Sequence, residues 1–149
     1  MAEKLLNESI TQQVRDVFEK QIHEPVSVLY FGKQEGCDYC ADTQQLVEEV
    51  IDLSDKLDLT IYDLDDDVDV ASQYRVDKAP SLVLLGRDGE ELIDYGVRFA
   101  GIPAGHEFGA LIQSLILVSV RDSGLSQTTR QALKELQEPV QLLVFTTPT

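Results

Sequence analysis

Apolar side chains recur at Ile10, Val14, Val17, Phe18 and Ile22, the i, i+4, i+7, i+8 spacing that turns one face of a helix toward a core. The spacing predicts a helix over 9–22, with Ser9 and Gln12 as a capping box. Pro25 stops it, and Val26-Ser27-Val28-Leu29-Tyr30-Phe31, β-branched and aromatic, reads as a central strand running on to Gly32. A helical period returns at Cys40, with Leu46, Val47, Val50, Ile51, Leu53 and Leu57 on the inner face. Leu59 to Leu64 alternates as a second strand. Strand, helix and strand then form a βαβ unit with a parallel pair and a right-handed crossover. A short helix through Ala71 to Tyr74 leads to the strand Ser81 to Leu85, the turn Arg87-Asp88-Gly89 and a returning strand from Leu92 to Phe99, which together make a hairpin. Gly101 to Gly105 closes the hairpin and opens a helix from His106 to Val120.

Beyond the Asp122-Ser123-Gly124 break, Ser126 to Gln137 is again helical, and Glu138-Pro139-Val140-Gln141-Leu142-Leu143-Val144-Phe145 follows. Set against Glu24 to Phe31, five of eight positions are identical at a constant offset of 114. Each copy follows an amphipathic helix and opens a strand, which points to a duplicated unit. Residues 1–122 are therefore expected to form one complete domain. Residues 123–149 read as a linker plus the first helix and strand of a second, truncated unit. Val140 to Phe145 lacks most of its sheet partners, so it is expected to dock on the first unit's edge or to pair with a second copy as a homodimer.

Composition narrows the function. Among 149 residues, 12 Lys and Arg stand against 27 Asp and Glu, a net charge of −15, while 43% hydrophobic residues suffice for a core. Such a surface repels phosphate backbones and anionic lipid, which argues against nucleic acid or membrane partners. No run approaches the roughly 18–20 apolar residues of a membrane span, and no apolar signal region follows Met1-Ala2-Glu3-Lys4. A cytoplasmic protein is expected. Asp63, Asp65, Asp66, Asp67 and Asp69 alternate like the start of a calcium loop, but Val68 stands where that loop needs Gly and Tyr74 where it needs Glu. A solvated helix start is the better reading. His23 and His106 are scattered, so zinc has no ligand spacing either, and no metal or bound cofactor is expected.

The two cysteines, Cys37 and Cys40, stand where the first strand gives way to a helix. There a thiol feels the positive end of the helix dipole and unpaired amides, and both favour thiolate. Glu35, Asp38 and Asp42 oppose this by like-charge repulsion, but exposed carboxylates are well screened. Cys40, one turn on, can face back and close a small disulfide ring, so the pair can store two electrons. If the hairpin joins antiparallel to the first strand, the start of the Ser81 strand lies beside Cys37. Pro80 then faces the pair as a candidate cis peptide.

The order strand, CxxC helix, strand, helix, X-Pro strand, hairpin, helix resembles the thioredoxin fold, a central mixed four-stranded sheet flanked by helices. More narrowly, "GVRFAGIPAGHEF" at 96–108, "DKAP" at 77–80 and the duplicated strand are similar to glutaredoxin-like protein disulfide oxidoreductases built from two tandem thioredoxin-fold units. The resemblance implies that Cys37 attacks, that Cys40 resolves, and that Ala79-Pro80 is a cis-proline turn offering backbone hydrogen bonds to a bound peptide. Asp38 and Tyr39, between the cysteines, complete the expected substrate contacts. The first strand lacks the buried aspartate that thioredoxins keep for proton transfer. The implied activity is thiol–disulfide exchange with protein disulfides, with a flavin-dependent reductase as electron donor. Two alternatives stand beside it: an electron-transfer domain serving a flavoprotein peroxide reductase, and a non-catalytic thioredoxin-fold binding module.

Overall fold

The computed structural model describes residues 3–147. In chain order it holds α1 (Glu8–Gln21), β1 (Val26–Gly32), α2 (Cys40–Ile51), β2 (Leu57–Asp63), α3 (Val68–Gln73), β3 (Ser81–Asp88), β4 (Glu91–Ala100), α4 (His106–Val120) and α5 (Gln127–Lys134). The strands form one mixed sheet in the order β2-β1-β3-β4. β1 runs parallel to β2, with Val26 opposite Leu57, and antiparallel to β3, with Phe31 opposite Ser81. This is the expected thioredoxin-like sheet.

Alternation along β1 divides its side chains between two cores. Val26, Val28 and Tyr30 join α1, α2 and α4 on one face, while Leu29 and Phe31 join Ala71, Val83 and Leu85 under α3 on the other. Both faces are covered, so β1 is buried at every position, which is why it reads as a continuous apolar run. Buried Ser119 fastens α4 to the α1–β1 connection. Its hydroxyl accepts the N–H groups of His23 at 2.8 Å and Glu24 at 3.0 Å, and donates to the Glu24 carbonyl at 2.7 Å.

Several local expectations shift. Asn7 caps α1, its Oδ1 accepting the Ile10 N–H at 2.9 Å, in place of the Ser9–Gln12 box. The Asn side chain reaches the free amide from an extended backbone just ahead of the first turn. α2 stops at Ile51 and not at Leu57, because the chain turns through bonds from Leu53 N–H to Val50 and from Leu57 N–H to Ser54. Leu57 matches the helical period only by coincidence, and it opens β2.

The helix expected after Gly124 forms as α5, but residues 138–147 form no strand. Leu142 is 85% exposed and Phe145 89%, and α5 buries nothing. A strand needs neighbours for its backbone groups, and this segment is not docked on either sheet edge. No helix among the described residues is long and apolar enough to cross a membrane.

Candidate redox site

β1 delivers the chain to a short loop, and α2 begins at Cys40. Gly36, at φ 70°, takes the left-handed conformation that lets the loop reverse. No side chain caps the α2 start at Tyr39. The Tyr39 carbonyl instead accepts from the Thr43 N–H at 2.9 Å and the Thr43 hydroxyl at 2.6 Å. Thr43 is fully buried, and it ties the loop to the first turn.

Cys37 and Cys40 are joined in a disulfide with their Cα atoms 5.5 Å apart. The two sulfurs are not equivalent. Cys37 is half-buried, whereas Cys40 is 5% exposed. Cys40 Sγ accepts the Lys33 N–H at 3.4 Å, and its carbonyl accepts the Tyr30 hydroxyl at 2.7 Å. Burial, with the Glu48 carboxylate adding, pushes the Tyr30 phenol above its usual range. It is therefore a neutral donor at physiological pH. Asp38 and Tyr39 form the exposed lip of the site, Tyr39 being 60% exposed.

The pairing of Phe31 with Ser81 sets the start of β3 beside the end of β1, so Ala79 and Pro80 arrive next to the cysteine loop. The Ala79–Pro80 peptide is cis. Pro80 is buried and its carbonyl accepts the Gly101 N–H at 2.9 Å, while Ser81 Oγ donates to the Lys78 carbonyl at 2.6 Å. Among the described residues the N–H and C=O of half-buried Ala79 have no hydrogen-bond partner. A cavity of about 300 Å³ lies beside Cys40, lined also by Tyr30, Gly32, Lys33, Gln44 and Tyr62 among others.

The aspartates after β2 build a turn. Asp63 Oδ1 accepts from the N–H of Asp65 at 2.9 Å and of Asp66 at 3.3 Å, Asp67 Oδ2 accepts the Asp63 N–H at 2.8 Å, and Asp65 pairs with Lys33 at 2.8 Å. Tyr30, Thr43 and the Lys33 amide escaped the sequence reading. An aromatic inside a buried strand signals core and nothing more, and a backbone amide carries no signal in the side-chain alphabet.

No protein-family model matches the chain. The alkyl hydroperoxide reductase protein AhpF of Staphylococcus aureus is 29% identical over 133 residues, which is 89% of this chain and 22% of that protein. A protein disulfide oxidoreductase from Aeropyrum pernix superposes with a TM-score of 0.74 at 28% identity, over 91% of this chain and 56% of the other. The NTD_N/C domain of alkylhydroperoxide reductase AhpF from Enterococcus faecalis gives 0.73 at 26%, over 85% and 58%. The chain thus spans about a fifth of the curated relatives it matches and rather more than half of these structures. Fold and site together define a thioredoxin-like unit that carries a Cys37–Cys40 disulfide at its strand-to-helix junction. Within that class its likeness is to the tandem thioredoxin-like group that includes protein disulfide oxidoreductases and AhpF N-terminal domains.

Proposed function

We propose that this chain passes electrons between its Cys37–Cys40 pair and disulfides of protein partners. The observation that carries the reading is the disulfide at the β1–α2 junction, one cysteine half-buried and the other buried. In the reduced protein the Cys37 thiolate attacks a substrate disulfide, forming a mixed disulfide and expelling one substrate thiolate, which takes up a proton. The Cys40 thiol loses its proton and its sulfur attacks Cys37. The internal disulfide forms and the second substrate thiolate leaves. Two electrons move from protein to substrate. Ala79 and Pro80 are assigned to hold the substrate backbone, and Asp38 and Tyr39 to meet its side chains. The free amide and carbonyl of Ala79 support this assignment.

The likeness to AhpF favours a second reading of the same chemistry, in which a flavoprotein exchanges electrons with this disulfide in a peroxide-reducing system. The five-of-eight repeat and α5 support 1–122 as one unit and 123–149 as the opening of another. Insulin reduction driven by dithiothreitol tests the exchange chemistry. Wild type is expected to accelerate precipitation, Cys37→Ser to fall to the uncatalysed rate, and Cys40→Ser to accumulate a mixed disulfide. Equal rates for wild type and Cys37→Ser would leave the chain a binding module. Faster reduction of the Cys37–Cys40 disulfide by NAD(P)H with a flavoprotein reductase than by glutathione would support the second reading.

A further inference from the structure

The thiol–disulfide reading leaves one buried group at the site unused, the Tyr30 phenol. Tyr30 and Gly32 stand two apart on β1, so both project onto the face covered by α2. A Cβ added at Gly32 would stand 2.5 Å from the Tyr30 hydroxyl oxygen, 2.7 Å from Cε1 and 2.9 Å from Cζ. Side chains do not approach so closely, and these atoms belong to a rigid ring packed in the core. Gly32 is not among the left-handed glycines of the chain, so space and not backbone freedom calls for glycine here. The ring lies across that space, and its hydroxyl donates to the Cys40 carbonyl at 2.7 Å.

Cys40 is the first residue of α2, and the end of β1 grips it twice. The Tyr30 hydroxyl holds the carbonyl, and the N–H of Lys33, the residue after Gly32, approaches Sγ at 3.4 Å. A plain core tyrosine would need neither the glycine nor a partner on the resolving cysteine. The internal repeat supplies a comparison. At the offset of 114, Leu29 and Phe31 reappear as Leu143 and Phe145, whereas Tyr30 becomes Val144 and Gly32 becomes Thr146. Ser27 and Val28 change as well, to Gln141 and Leu142, so the repeat keeps Leu29 and Phe31 but neither the phenol nor the glycine.

We propose that Tyr30 is the positioning residue for Cys40 in the second half of the exchange, and that Gly32 is the space that admits it. This rests on the exchange reading. The step it serves is the attack of Cys40 sulfur on Cys37 Sγ in the mixed disulfide, which forms the internal S–S bond, breaks the bond to substrate and releases the substrate sulfur as thiolate. The phenol keeps its proton throughout. It fixes where the helix start, and with it the attacking sulfur, lies. The first half, attack by Cys37 on substrate, does not involve the Cys40 carbonyl.

Single-turnover quenching with a labelled peptide disulfide, followed by mass spectrometry, separates the two rates. Tyr30→Phe is expected to slow resolution about three- to tenfold, the worth of one hydrogen bond, and to leave mixed-disulfide formation within about twofold. Gly32→Ala, which must displace the ring, is expected to show the same selective slowing, and it carries the test should Tyr30→Phe fold poorly. Unchanged resolution in a folded variant, or equal slowing of both steps, overturns the assignment. A wild-type chain that forms no mixed disulfide overturns the exchange reading and this proposal with it. Wild-type exchange with normal Tyr30→Phe resolution removes only the role of Tyr30.

Discussion

At Glu49 a single carboxylate gathers three donors: the N–H groups of Leu5 at 2.9 Å and Leu6 at 2.8 Å, and the Gln45 side-chain amide at 2.9 Å. Burial acts to raise this carboxyl, but the Gln45 bond and the Leu6 and Leu5 amides outweigh it and hold the group below its usual value. A depressed carboxyl stabilises the fold above its unfolded pKa of 4.5, and the contribution disappears as pH falls through the lower folded value. Glu49 is only lightly buried, so screening keeps the effect to about 0.5–1 kcal/mol. Urea unfolding at pH 7 is expected to show Glu49→Gln less stable than wild type by that amount, with the gap closing as pH falls through the depressed folded value. A gap that persists once the carboxyl is protonated would mean that shape and not charge holds the N-terminal segment. None of this was legible in the sequence, since residues 44 apart meet only after α2 has folded. The cysteine pair was legible, because CxxC spacing at a strand-to-helix switch carries its own chemistry. Tyr30 was not, because its aromatic type signals burial and conceals the hydroxyl's partner.

At the scale of elements, the sheet was readable because its strands differ in period from their helices, and because β1 is apolar at positions facing both layers. The errors fall where a period outlasts its element. Leu57 continues the α2 stripe, yet it pairs with Val26 in β2. They fall again where a strand pattern lacks neighbours. Val140 to Phe145 repeats the opening of β1, but strand formation depends on partners that no local pattern supplies. This segment and α5 bury no residue, and α5 is tied back chiefly through an exposed Arg130–Asp122 pair at 2.7 Å. Removing residues 126–149 is therefore expected to change unfolding stability by less than about 0.5 kcal/mol, while solubility rises as an exposed apolar run disappears. A loss above about 1 kcal/mol in chemical denaturation would show that the tail packs on the domain in solution. Scattering that gives a dimer for the full chain and a monomer for the shortened one would instead assign the tail to self-association.

Over the whole molecule, a charge of −15 bears on every encounter at the dithiol. The lysines beside the site are neutralised in ion pairs, Lys33 with Asp65 and Lys78 with Asp77, each at 2.8 Å. Glu35, Asp38 and Asp42 are exposed and have no ion-pair partner among the described residues. An anionic disulfide approaching Cys37 thus meets a field of its own sign, whereas a cationic one is drawn in. Fields of this kind alter association rates by factors of about ten or more at low salt and fade once the Debye length falls to about 3 Å near 1 M salt. Intrinsic reactivity differs between disulfides, so the informative quantity is how a rate ratio responds to salt. The second-order rate of the reduced protein with cystamine, divided by that with oxidised glutathione, is expected to fall about tenfold or more between roughly 10 mM and 1 M sodium chloride. Glu35→Gln with Asp42→Asn should flatten that slope without changing the high-salt ratio. A ratio indifferent to salt in the wild type would mean that local contacts at Tyr39 and Ala79, and not the field of the molecule, select the partner.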